Sequence, residues 1–357
     1  MDYGRKRGRL VLEDGSVFEG YSFGFDTTRV GEVVFNTGMV GYPENLTDPS
    51  YRGQILTLTY PLIGNYGVPA HSRTDGLLDH FESEAIHLSG LIVSDYSVHV
   101  DHHSAVRTLS DWLMDEQIPA LYGIDTRALT KHLRNSGTML GCIQLTDEEP
   151  TLADPNIRNL AAEVSVPEPI LYERGKTRIV LVDCGVKNNI IRAFLRRDIT
   201  VLRVPWDFDF SREQADGILI SNGLGDPALC EATMHHTRKA MEQNIPILGI
   251  CLGSQILGLA AGAKTYKMPF GHRAHNQPCL ETGTRRCHIT SQNHGFAVDG
   301  ATLPEDWREW FVNTNDESNE GLFHISRPFF GAQFHPEASP GPDDTEFIFD
   351  MFVRALS

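Results

Sequence analysis

From Arg178 onward, short apolar runs alternate with helical patterns, and this alternation restricts the fold more than any other feature of the chain. The runs are Ile179-Val180-Leu181-Val182, Thr200-Val201-Leu202-Arg203-Val204, Gly217-Ile218-Leu219-Ile220 and Ile245-Pro246-Ile247-Leu248, with helices expected over 187–196 and around 228–243. Repeated βα units imply an α/β fold, a mostly parallel sheet covered by helices on both faces. The last run stops at Gly249-Ile250-Cys251-Leu252-Gly253 and resumes as a helix. That is the pattern of a strand-to-helix elbow, which lifts its central side chain clear of the backbone, and glycine is the residue that allows so tight a turn. Ligands in such sheets bind at the carboxyl ends of strands. Strands expected near 288–290 and 329–334 would bring His335 to the same rim as Cys251, and 345–355 reads as a closing helix.

The chain has 357 residues, more than one core usually supports, so two domains are expected. Residues 1–150 read as a mixed β/α domain of short strands and turns. Asp14-Gly15 marks a hairpin, and helices over 104–116 and 126–135 each open on a hydroxyl residue suited to an N-cap. Residues 151–176 have linker composition, as does Glu148-Glu149-Pro150 just before them, and 177–357 form the second domain. The basic start, Met1 to Arg9, reads as a short frayed tail with no signal-peptide apolar region.

A formal net charge of −16 opposes binding to nucleic acid or to an anionic membrane. Residues 245–263 carry no charge, but Pro246, Gly249, Gly253, Gly258 and Gly262 break them into a strand, a turn and a small-residue helix rather than a membrane span. Six cysteines without a C-x-x-C pair argue against a disulfide framework or a zinc ribbon and fit reduced thiols in a cytosol.

A thiol at a helix N-terminus with a histidine partner favours the thiolate, and the competing reading of Cys251 is a buried structural thiol. The Leu252 N–H, just after the nucleophile, would face the oxygen that turns negative during acyl transfer, with a second amide from Gly223-Leu224-Gly225. His335 would move the proton. Glu337, on the same side of an extended chain, would orient the imidazole.

The segment Gly249 to Gln255, Ser221-Asn222-Gly223-Leu224-Gly225-Asp226-Pro227 upstream and His335-Pro336-Glu337 downstream resemble the class I glutamine amidotransferases. The first half, through Glu32-Val33-Val34-Phe35-Asn36-Thr37-Gly38, Leu58-Thr59-Tyr60-Pro61-Leu62-Ile63-Gly64-Asn65-Tyr66-Gly67 and Gly123-Ile124-Asp125-Thr126-Arg127, is similar to the small, glutamine-hydrolysing subunits of carbamoyl-phosphate synthases. Further agreement comes from Phe270-Gly271-His272-Arg273 and from the run Ser291 to Val298. The resemblance implies a flavodoxin-like second domain with Cys251 as nucleophile and His335 and Glu337 as partners. It implies that Ser50, Gly223, Gly225, Leu252, Gln255, Asn293, Gly295 and Phe296 bind L-glutamine. It also implies a cytoplasmic hetero-oligomer in which a large synthetase subunit, holding ATP and divalent metal, receives ammonia and makes carbamoyl phosphate for pyrimidine and arginine synthesis; no cofactor or metal is expected on this chain. The alternatives are a glutaminase subunit feeding another synthase, or a non-catalytic regulatory subunit.

Two positions depart from the family pattern: Ser254 stands where histidine is common, and Leu224 where proline is. Gly223-Leu224-Gly225-Asp226-Pro227-Ala228 imitates a dinucleotide fingerprint, but it places proline in the turn. Gly175-Lys176-Thr177 imitates a phosphate loop without its first glycine, and the loop His99-Val100-Asp101-His102-His103 holds metal-capable side chains that read as solvated.

Overall fold

The computed structural model describes residues 6–148 and 150–356. Residues 1–5 of the expected tail and Glu149 lie outside them. The chain divides into two compact units, 1–155 and 156–357.

The first unit is built on β1 (Arg7–Leu12), β2 (Val17–Ser22), β3 (Arg29–Asn36), β4 (Gln54–Leu58), β5 (Gly90–Ile92), β6 (Ala120–Tyr122) and β7 (Met139–Gln144), with helices α1 (Tyr42–Thr47), α2 (Leu109–Asp115) and α3 (Thr126–Ser136). The strands close into a barrel in the order β1-β7-β3-β4-β5-β6-β2. The run β3-β4-β5-β6 is parallel and the other pairings are antiparallel. Closure leaves no strand edge exposed to a foreign chain. The Asp14-Gly15 hairpin forms as expected, with Gly15 at φ 86° and Asp14 accepting the Ser16 N–H at 2.9 Å.

Three readings of this unit change. Arg7, Gly8 and Arg9 pair with Tyr21, Gly20 and Glu19 and are part of β1, not a frayed tail. The helix expected from 104 begins at Leu109, because Thr108 and Asp111 form a capping box and residues 105–107 are extended. The cap of α3 is Asp125, whose carboxylate accepts the Ala128 N–H at 2.9 Å, so Thr126 is the first helical residue rather than the cap.

The second unit adds helices α4 (Leu160–Val164), α5 (Asn188–Leu195), α6 (Glu231–Glu242), α7 (Leu252–Ala261) and α8 (Phe347–Ala355). Its strands are β8 (Ile170–Tyr172), β9 (Arg178–Asp183), β10 (Thr200–Pro205), β11 (Gly217–Ile220), β12 (Ile247–Ile250), β13 (Lys264–Glu281), β14 (Cys287–Asp299), β15 (Trp307–Asn313), β16 (Asn319–His324) and β17 (Phe329–Ala332). They form one sheet in the order β8-β10-β9-β11-β12-β17-β16-β15-β13-β14. The run β10-β9-β11-β12-β17 is parallel and has the flavodoxin-like order 2-1-3-4-5. Its central strands β9, β11 and β12 are almost continuously buried, as covered parallel strands must be. Beyond β17 four antiparallel strands extend the sheet, ending in the long β13–β14 ribbon.

Residues 156–176 are not a bare linker. They include α4, capped by Asn159, and β8, which pairs antiparallel with β10 at the sheet edge.

Candidate active site

The elbow forms where β12 meets α7, but its strain sits on a different residue from the one expected. Gly249 and Gly253 have ordinary φ, whereas Cys251 is at φ 52°, ψ −107°. The flanking glycines serve close approach instead. A Cβ on Gly249 would lie 2.4 Å from the Gly253 oxygen, and one on Gly253 would lie 2.0 Å from the Ile220 oxygen. Bare backbone on both sides lets α7 press onto β11 and β12 and holds Cys251 in a conformation that costs roughly 1–3 kcal/mol. The Cys251 N–H donates to the Ala332 oxygen at 2.7 Å and the Gly253 N–H to the Ser221 oxygen at 3.1 Å. As the first residue of α7, Leu252 has an N–H with no intrahelical acceptor.

β12 and β17 pair in register through Gly249↔Gly331 and Ile250↔Ala332, so the residues after each strand emerge at one rim. Cys251, His335 and Glu337 are all buried there. His335 Nδ1 lies 2.7 Å from Glu337 Oε1. Its other ring nitrogen is buried without a hydrogen bond of full geometry, while Cys251 is near enough to act on the ring electrostatically. This is the loose nucleophile–base contact common before substrate binds. Burial disfavours charge on His335, but the Glu337 carboxylate and the Cys251 sulfur outweigh it and raise the imidazole. Burial likewise opposes the Glu337 carboxylate, and Lys187 and His335 outweigh that, holding it low.

Lys187 is the residue the sequence reading missed. Its ammonium lies 3.0 Å from Glu337 Oε1 and donates to the Ala338 oxygen at 2.5 Å. Asp183 shapes the loop that delivers it, accepting the Gly185 and Val186 N–H groups at 3.0 and 2.8 Å. The Asn222 side chain then accepts the Lys187 N–H at 3.1 Å. Asn189 Nδ2 also donates to the Glu337 main-chain oxygen. A lysine at a strand end was the available signal, but its carboxylate partner is far away in sequence.

Most of the residues assigned to glutamine gather around Cys251. The Asn293 oxygen lies 3.6 Å from Cys251 Sγ. Gln255 donates to the Phe296 oxygen at 2.7 Å and to Gln333 Oε1 at 3.0 Å, leaving its own oxygen as an acceptor for a ligand. Gln333 in turn donates to Cys251 Sγ at 3.7 Å. A Cβ on Gly223 would lie 2.2 Å from the Cys184 oxygen and 2.7 Å from Leu252 Cδ2, so that loop runs against the elbow. Gly225 has φ +83°, which glycine tolerates without strain. Gly295 follows Asn293 and His294 on β14, with the Arg273 guanidinium beside it. Ser254, at the common histidine position, is buried with its Oγ close to Gly331. Ser50 belongs to the first unit, buried in a one-turn helix whose cap Asp48 accepts its N–H at 2.9 Å.

The other motifs resolve differently. The Gly223–Gly225 loop leads into a one-turn 3-10 helix capped by Asp226, and α6 starts only at Glu231, so no long helix N-terminus faces the glycines as a dinucleotide site requires. Residues 101–103 are exposed. Among the described residues the metal-capable grouping is His272, His294 and Glu320. No described helix is long and apolar enough to cross a membrane.

Two family models match the chain: "Carbamoyl-phosphate synthase small chain, CPSase domain" over residues 10–143 and "Glutamine amidotransferase class-I" over 180–355. The chain is 53% identical to the multifunctional protein CAD of Squalus acanthias over 352 residues, which is 97% of this chain and 16% of that protein. It is 51% identical to the mitochondrial carbamoyl-phosphate synthase [ammonia] of Homo sapiens, over 97% of this chain and 23% of the relative. It is 50% identical to the multifunctional protein pyr-3 of Neurospora crassa, over 98% and 21%. The chain thus spans about a fifth of the length of the curated relatives it matches. With a small-chain domain followed by an amidotransferase domain that carries an assembled Cys251, His335 and Glu337, it belongs to the family of carbamoyl-phosphate synthase small chains.

Proposed function

We propose that this chain hydrolyses L-glutamine and supplies the ammonia to a synthetase that makes carbamoyl phosphate from bicarbonate and ATP. The observation that carries this reading is the strained Cys251 at the N-terminus of α7, buried with the His335–Glu337 pair. His335 takes the thiol proton and Cys251 Sγ attacks the γ-carboxamide carbon. The resulting oxyanion receives the Leu252 N–H, with the Gly223 loop as the second donor. As the adduct collapses, its amide nitrogen takes the proton back from His335 and leaves as ammonia, giving a γ-glutamyl thioester. His335 then activates a water that hydrolyses the thioester to glutamate and frees the thiol. Glu337, anchored by Lys187, keeps the ring oriented through both steps.

Gly223, Gly225, Leu252, Gln255, Asn293, Gly295 and Phe296, all in the second unit, hold the substrate in this reading. The synthetase, as a separate large subunit or a continuation of the same polypeptide, carries the ATP and divalent-metal sites. The ammonia reaches it by an enclosed path, in the cytoplasm, for pyrimidine or arginine synthesis. Cys251→Ser, assayed with the synthetase present, is expected to abolish glutamine-dependent carbamoyl phosphate formation while synthesis from added ammonia continues. Equal loss of both activities refutes the division of labour.

A further inference from the structure

A line of polar contacts runs through the second unit from a surface turn to the nucleophile. It starts at Asp316, whose side chain is 41% exposed and whose Oδ2 lies 2.8 Å from His272 Nε2. His272 Nδ1 lies 3.0 Å from Glu320 Oε1, and Glu320 Oε2 lies 3.9 Å from His294 Nε2. His294 Nδ1 is 2.8 Å from the Phe296 oxygen, the same oxygen that Gln255 holds at 2.7 Å. Gln255 continues through Gln333 to Cys251 Sγ.

Two details distinguish this line from ordinary polar filler. Each ring nitrogen of His272 meets a carboxylate, so the ring is an imidazolium: burial opposes its charge, but Asp316 and Glu320 together push its pKa up to about 9. With both nitrogens committed, the metal-capable grouping of His272, His294 and Glu320 is accounted for without an ion.

The second detail is the placement of His294 between two oxygens, Phe296 O and Gln292 Oε1 at 3.0 Å. The Gln292 amide is oriented by donating to Thr290 Oγ1, which itself donates to the Gln277 oxygen. A neutral imidazole donates from one nitrogen only. Burial and the His272 charge push His294 toward that neutral form. Glu320 is fully buried, and its Oε2, which makes no hydrogen bond, supplies the opposing negative charge.

We infer that Asp316, His272 and Glu320 are positioning residues for glutamine binding: the charged His272, held between Asp316 and Glu320, packs edge-on against His294 with ring centroids 5.1 Å apart, and His294 aims the Phe296 carbonyl and with it Gln255. This rests on the glutamine-hydrolysis reading. The test uses the protein together with its synthetase and measures KM and kcat for glutamine beside ammonia-dependent synthesis. Glu320→Gln keeps the shape and removes the charge. It is expected to raise KM about tenfold, the loss of roughly one charge-assisted hydrogen bond, with kcat within about twofold. Asp316→Asn, at a more exposed position, is expected to raise KM by a smaller factor, and Asp316→Glu to restore it. Unchanged KM in Glu320→Gln overturns the inference, as does a fall in kcat at constant KM. Stoichiometric zinc kept by the parent protein through dialysis and lost in Glu320→Gln also overturns it, by making the cluster a metal site. Absence of glutamine hydrolysis in the parent protein refutes the underlying reading as well, and so separates the two failures.

Discussion

Gly253→Ala is the sharpest test of how the elbow is held. The added Cβ would lie 2.0 Å from the Ile220 oxygen, 2.7 Å from the Ile220 carbonyl carbon and 2.9 Å from the Ser221 oxygen. These are backbone atoms at the end of β11, which have no rotamer to escape into. Non-bonded atoms settle near roughly 3.5 Å, so the first turn of α7 must retreat by about 1–1.5 Å. That breaks the Gly253 N–H···Ser221 bond and drags Cys251 away from the base. Alanine is a better helix former than glycine by about 1 kcal/mol, so propensity alone predicts stabilisation. Overpacking costs about 1–3 kcal/mol or more, which offsets that gain and turns the net change to destabilising. A displacement near 1 Å at a reacting group costs on the order of a hundredfold in rate. Urea unfolding and glutamine hydrolysis measure the two effects, with ammonia-dependent synthesis as the reference activity. Gly258→Ala, in the same helix, meets side-chain methyl groups, Val298 at 3.1 and 3.4 Å and Leu322 at 3.7 Å, and should keep most of both properties. Unchanged stability and hydrolysis in Gly253→Ala would refute the close-approach argument.

Two further outcomes are expected. Lys187→Met removes one of the two cations that hold the buried Glu337 carboxylate, leaving His335; breaking a buried pair costs up to about 3–5 kcal/mol, so the urea midpoint and the glutaminase rate should both fall, and a parent-like midpoint would contradict the pairing. His272 has a folded pKa near 9 against an ordinary 6.5, so its contribution is complete below about pH 6.5 and is lost as pH rises through about 9. Unfolding measured from pH 6 to 9.5 should show a loss of at most about 3 kcal/mol that His272→Asn flattens, and an equal slope in that variant would discount the pair.

The parallel half of the second unit was legible because covered strands leave apolar runs of four to six residues and elbows leave glycines. Cys251, His335 and Glu337 followed from local motifs. The barrel of the first unit was not legible. Its closure depends on β1 meeting both β2 and β7, and a pairing across more than a hundred residues has no local pattern. Residues 156–176 look like linker because Pro167, Glu168 and Pro169 interrupt any helical or strand pattern, yet a three-residue strand at a sheet edge needs only backbone donors and acceptors. Lys187 escaped for the reason β1–β7 pairing did: its partner is fixed by the fold. The elbow glycines were recognised for the right position and the wrong reason, since the positive φ belongs to Cys251 and the glycines supply room.

The register between β12 and β17 has a consequence for how such a protein diversifies. Cys251 follows one strand, His335 and Glu337 follow its direct neighbour, and the Cys251 N–H reaches the Ala332 oxygen across the ladder. The stretch between α7 and β17, including the β13–β14 ribbon that carries Asn293 to Phe296, is an excursion that leaves and returns to adjacent rungs. Its length and content can change without altering the spacing of nucleophile and base. The chemistry is thereby uncoupled from the recognition surface, and the ribbon is an exchangeable cassette in which a lineage can rebuild specificity while the reaction stays intact.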